Sequence, residues 1–151
     1  MRKKIFIGCL VIVCVIAVYS FGWPYVDLAK RKNALKKYDV QKEWKDNSLE
    51  YEDAKYFLRV VMTMEEWDAF RETIIKNNWR REAVTTGTKN IINSEMFSDE
   101  EAGQVSEIWT IGEDVKYLFR SKYFTEYVYA MPYGGNVVLQ YELAMYPGGT
   151  K

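Results

Sequence analysis

Chemistry in this chain has few side chains to draw on. There is no histidine, and both cysteines, Cys9 and Cys14, fall inside an apolar run near the N-terminus. Ser-His and Cys-His catalysis, His-ligated metals and the usual pH-switch side chain are thereby excluded. Carboxylate pairs remain at Glu65/Glu66, Glu100/Glu101 and Glu113/Asp114. Two carboxylates do glycosidase-type work when they flank a cleft at a suitable separation. Sequence neighbours at a helix start or in a turn are better explained by the helix dipole and by local side-chain hydrogen bonds. Asp99-Glu100-Glu101 lacks the alternating oxygens of a calcium loop. Gly134-Gly135 reads as a hairpin turn, not a phosphate cradle. No catalytic, cofactor-binding or metal-ligating residue is assigned, and the chain reads as non-enzymatic.

The remaining positive feature is aromatic load. Tyr117, Tyr123, Tyr127, Tyr129, Tyr133, Tyr141 and Tyr146 crowd the C-terminal third, beside Phe119 and Phe124. Tyrosine packs well in strands, so core or cross-strand pairing explains many of them. It also supplies large contact area at little entropic cost, which suits a recognition surface. The candidate partner-binding residues are Tyr123, Tyr127, Tyr129 and Tyr133. Asp99, Glu100 and Glu101, in the acidic stretch Glu95–Glu101, add charge for a basic partner.

These residues must be positioned by the elements around them, and the first element sets their compartment. Ile5–Trp23 reads IFIGCLVIVCVIAVYSFGW behind Arg2, Lys3 and Lys4. As a helix its nineteen residues span roughly 28 Å, close to a hydrocarbon core of about 30 Å. Tyr19, Phe21 and Trp23 gather at the far end, where aromatic rings favour the membrane–water interface. The segment therefore reads as a membrane anchor. A cleaved signal peptide, cut after Ser20 or Gly22, is the alternative, and a lipoprotein signal at Gly8-Cys9 is a weaker third. Basic residues lie on both sides. The dense N-terminal tail favours a cytoplasmic N-terminus, which places the domain in the periplasm or outside the plasma membrane of a bacterium. A cleaved chain would be soluble in the periplasm.

Four parts follow along the chain: residues 1–23 as anchor or signal, 24–46 as a basic juxtamembrane or stalk helix, 47–147 as one domain, and 148–151 as a tail. The spacing over Tyr25–Trp44 predicts a solvated stalk helix, whose lysines and Arg31 could otherwise face lipid. Asp46-Asn47-Ser48 reads as a break. Lys55–Met62 alternates like a strand. Thr63-Met64-Glu65-Glu66 is a capping box that opens a helix over Met64–Lys76, with Met64, Trp67, Phe70 and Ile74 on its apolar face. Asn77-Asn78 suits a left-handed stop. Trp79–Val84 is a further strand, and Thr85–Gly103 a long loop with a short helical turn. Strands are expected at Val105–Ile111, Val115–Arg120, Tyr123–Met131 and Asn136–Tyr146. Their turns fall at Gly112-Glu113-Asp114, Ser121-Lys122 and Pro132–Gly135. The fold class is α+β: a transmembrane or signal helix and a stalk helix, then an antiparallel sheet ending in a meander and packed by one main helix.

Charge narrows the partners. Residues 23–151 keep 18 of the 21 basic side chains and all 21 acidic ones, a net of −3. No basic face dominates, so no nucleic acid is expected, nor is a small-molecule substrate. A protein partner is, along with the membrane contacted through Ile5–Trp23. In general style the chain is similar to immunity proteins that neutralise toxins in the bacterial envelope. The likeness lies in organisation and in no single motif. It implies a membrane-tethered binding module acting by occlusion. A structural accessory subunit of an envelope assembly, such as a secretion or conjugation apparatus, is the alternative, with Gly8, Cys9 and Cys14 permitting close helix approach.

Overall fold

The computed structural model describes residues 2–46, 54–89, 92, 96–118 and 120–148. Asn47, Ser48, Glu95 and Phe119, to which expectations were attached above, lie outside them.

The chain begins as one long helical rod. Helix α1 (Arg2–Ala17) passes through a π-helical turn (Val18–Gly22) into α2 (Trp23–Asn33). Pro24 explains the wide turn. It has no N–H to offer the carbonyl four residues earlier, and its ring would crowd that carbonyl in a regular α-helix. Helix Ile7–Asn33 is long and apolar enough to cross a membrane, and little of its apolar part is buried in the protein. It has the character of a single-pass anchor or a signal sequence.

Past Ala17 one side of the rod turns inward. Ser20, Pro24 and Leu28, four residues apart, are buried, as is Leu35 just beyond the helix. Leu28 and Leu35 enter the main core, and each such burial is worth about 1.5–3 kcal/mol. The predicted helix over Tyr25–Trp44 is therefore shorter than expected, and it is solvated on one side only. It stops at Asn33, and Asp39–Asp46 forms strand β1 instead. Lys, Gln and Glu in this stretch favour helix locally. Pairing against β2 (Ala54–Thr63) overrides that preference, and Val40 packs on the core.

Among the described residues six strands make one sheet in the order β1-β2-β6-β5-β4-β3, with every neighbour antiparallel. After β2, helix α3 (Met64–Lys76) crosses to the far edge, where β3 (Arg80–Glu82) lies. Short helices α4 (Thr86–Lys89) and α5 (Asp99–Gly103) follow, then the meander of β4 (Glu107–Tyr117), β5 (Arg120–Tyr133) and β6 (Asn136–Pro147). Helix α3 opens on the expected capping box: Glu66 N–H donates to Thr63 Oγ1, and Thr63 N–H to Glu66 Oε2 at 2.8 Å. It ends as expected beside Asn78, at φ 61°. Trp67 and Ile74 are buried, whereas Met64, in the first turn, is exposed.

The meander differs from expectation at two turns. Gly112-Glu113-Asp114 does not interrupt β4, which runs straight through it. Gly112 instead makes room for the Tyr123 ring, which lies where a Cβ at 112 would project. Ser121-Lys122 is likewise inside β5, and Lys122 is buried. Tyr117 pairs with Arg120, so the chain reverses between them, with Leu118 at φ 42°. The other hairpin matches the reading: Tyr133 pairs with Asn136 around Gly134 (φ 57°) and Gly135 (φ 85°).

One sheet face carries Leu58, Val60, Val128, Leu139, Tyr141 and Leu143 under α2 and α3. The opposite face is not left bare. Ile92, Phe97 and Val105 close over Ile108, Tyr129, Met131 and Val138 in a second cluster. Gln140 and Glu142 point away from the Val137–Met145 face and are buried as well.

Candidate functional site

A cavity of about 550 Å³ opens between α2, the end of α3 and the sheet, with Arg31, Leu35, Phe70, Ile74, Trp79 and Tyr141 among its walls. Its polar wall is a clamp. Arg31 on α2 donates to Glu126 Oε1 on β5 at 2.5 Å and to Glu113 Oε2 on β4 at 2.6 Å. The Arg31 guanidinium also lies over the Phe124 ring, 4.6 Å from its centroid. Tyr141 Oη donates to the other oxygen of Glu126 at 2.5 Å. Burial, and then the Glu126 charge, hold the Tyr141 phenol well above its ordinary range, so it remains a donor. Closer to the apolar helix, Tyr117 Oη donates to Asp27 Oδ2 at 2.7 Å. Burial and this bond push the Tyr117 phenol up as well. Both oxygens of Glu126 are thus occupied by donors. The cluster fastens the N-terminal rod to the sheet at two levels.

The predicted partner-binding residues divide. Tyr129 is only 1% exposed, under the roof containing Phe97 and Val105. Burial first, then the nearby Glu142 and Tyr127, push its phenol far up. Tyr127 is half-buried and stacks on Tyr129, with centroids 6.1 Å apart and planes at 13°. Tyr123 is half-buried over Gly112. Tyr133 stands apart at the Gly134-Gly135 hairpin, 64% exposed.

The acidic residues are built into α5. Glu101 N–H donates to Ser98 Oγ and Ser98 N–H to Glu101 Oε2, a second capping box. Arg59 on β2 then ties this roof down. It donates to Glu101 Oε1 at 2.6 Å and to the Met96 carbonyl at 2.7 Å, and it lies over the Phe97 ring. The Arg59 bond holds the Glu101 carboxyl below its ordinary range. Asp99 and Glu100 are exposed. Tyr127, Tyr129 and the acidic turn therefore meet on one face. Tyr129 is covered there, and Glu101 is engaged by Arg59.

Arg59 and Glu126 are absent from the sequence-based candidates, and Arg31, read there only as a candidate lipid-facing cation, is engaged by Glu126 and Glu113. Arg31 and Glu126 stand 95 residues apart, beyond the reach of any local pattern. One signal was present: alternation in β5 puts Glu126 on the same face as Phe124 and Val128, and a carboxylate among core residues demands a partner. Among the described residues no group of three or more His, Cys, Asp or Glu is placed to hold a metal ion.

No protein-family model, curated protein or solved structure matches this chain.

Proposed function

We propose that this chain is a membrane-anchored, non-enzymatic binding module that captures a protein partner and acts by occlusion. The observation that carries the reading is the join between rod and sheet. The apolar helix runs unbroken into α2, and Arg31, Leu28 and Leu35 fix α2 to the sheet. Such a join holds the domain at a set height above a bilayer, which suits a tethered receptor better than a segment to be discarded. The contact surface is the exposed acidic turn at Asp99 and Glu100 with half-buried Tyr127 beside it, complementary to a basic, aromatic-tolerant partner. The domain faces the periplasm or exterior of a bacterial cell. In its specific form the partner is a toxin, and the module an immunity-type protein encoded beside it.

The test uses the full chain in nanodiscs as bait for envelope proteins at low salt, beside the Asp99→Lys/Glu100→Lys variant. A protein retained by the parent and lost by the variant, at equal thermal stability, supports the reading. Retention by both removes the acidic turn from the interface. Retention of nothing overturns capture.

A structural subunit of an envelope assembly is the second reading. Its support is the apolar helix, exposed around Ile7–Val15, with open space beside Gly8 for another helix. Exchanging Ile5–Trp23 for an unrelated anchor abolishes function in this case only.

A further inference from the structure

We propose that the β4–β5 hairpin tip is a second point of membrane contact, with Leu118 seated in the interfacial layer of the bilayer that the helix crosses. The inference rests on the anchor reading and adds to it a lipid contact made by the folded domain.

The first observation is position. The Arg120 guanidinium lies over the Phe21 ring, 5.0 Å from its centroid. Phe21 belongs to the apolar segment, two residues on the membrane side of Trp23, or about 3 Å along the axis. Trp23 stacks on Tyr19, with centroids 5.7 Å apart, and these rings mark the interfacial end of the span. A hairpin touching Phe21 is therefore level with the headgroups, and its loop is next to the same layer.

The second observation is the loop's chemistry. Two-residue hairpin loops favour Asn, Asp and Gly, which accept positive φ and are content in water. The distant hairpin of this sheet follows that rule with Gly134-Gly135. The hairpin beside the span instead has Leu118, at φ 42° and 63% exposed. A leucine held in the left-handed region and turned outward gains nothing from water, but it gains apolar contact from lipid. The neighbouring Arg120 supplies a cation at headgroup level.

The experiment places an environment-sensitive fluorophore at Leu118→Cys in the full chain carrying Cys9→Ala and Cys14→Ala. The protein is held in nanodiscs of phosphatidylcholine and phosphatidylglycerol. Tyr133→Cys, at the opposite hairpin, is the water-facing control. The 118 probe is expected to emit to the blue of the 133 probe. Spin-labelled lipid should quench it about threefold more strongly than it quenches the 133 probe, as for an interfacial site. Equal quenching of both by an aqueous quencher overturns the lipid contact while leaving the anchor standing. A 118 probe shielded from both quenchers means that protein, for instance a second copy, covers the tip, and also overturns it. Intact mass of the chain recovered from cell membranes tests the anchor separately. A mature chain beginning near Phe21 or Trp23 and found in the soluble fraction removes the anchor reading and this contact with it.

Discussion

Tyr141 and Glu126 meet across neighbouring strands in a 2.5 Å hydrogen bond, directly beneath the Arg31 guanidinium. Glu126 thus has a donor on each oxygen, and through Arg31 helix α2 becomes part of the sheet's polar interior. Replacing Arg31 with Met strands a carboxylate that is only 11% exposed. The loss should be about 2 kcal/mol, less than the ~3–5 of fully buried pairs, because Arg31 itself keeps some solvent contact. Tyr141→Phe removes one donor and should cost about 1–2 kcal/mol. Thermal denaturation of the detergent-solubilised chain reads both. Unchanged stability in Arg31→Met would mean that the rod is not fastened to the sheet in solution.

Gly112 and Tyr123 should be coupled. A methyl group at 112 collides with the Tyr123 ring, so Gly112→Ala is expected to lose about 1–3 kcal/mol through forced displacement of the ring. In a Tyr123→Ala background the same change should be close to neutral, since the obstructing ring is gone. Equal losses in the two backgrounds would show that Gly112 is needed for its backbone and not for the space it leaves.

This pair also shows where the sequence was legible. Helix α3 and its capping box, β2, the Gly134-Gly135 hairpin and strand β6 were all read from local pattern. In each, cap chemistry, turn chemistry and period agree with the final packing. Gly112 misled because glycine is read locally as a turn, whereas here it answers a ring on the next strand. Residues 39–46 misled because an edge strand carries polar, helix-tolerant residues, and only β2 decides their state. Of the partner-binding candidates, Tyr129 could not be judged exposed or covered from alternation. The roof over it comes from a segment more than 20 residues away in the sequence, held by Arg59.

Thr63 caps α3 by accepting from the Glu66 N–H. Thr63→Ala removes that acceptor and should destabilise the domain by about 1 kcal/mol. Thr63→Ser or Thr63→Asp should keep most of the stability, because each retains an oxygen at the cap. A loss in Thr63→Asp equal to that in Thr63→Ala would assign the effect to packing of the threonine methyl.

Glu101 should make the roof over Tyr129 acid-sensitive. Its carboxyl titrates lower in the folded chain than in the unfolded one, chiefly through the hydrogen bond from Arg59. A depressed folded value contributes stability that is fully present above the unfolded pKa, about 4.3, and is lost as pH falls through the lower folded value. Glu101→Gln isolates this contribution, since glutamine can still complete the Ser98 capping box. At pH 7 the variant should be less stable by about 1 kcal/mol, a partly exposed pair being worth little more. On acidification the two stability curves should begin to converge as pH falls below the unfolded value of about 4.3, and meet below the lower folded value, where the parent carboxyl has also lost its charge. Tyr129 reports the same event locally: its ring becomes accessible as the roof loosens, so near-ultraviolet tyrosine signals should shift over that window in the parent and not in the variant, which has no carboxyl at 101 to titrate. Curves that stay parallel down to that pH would place the Arg59–Glu101 pair outside the stability of the roof.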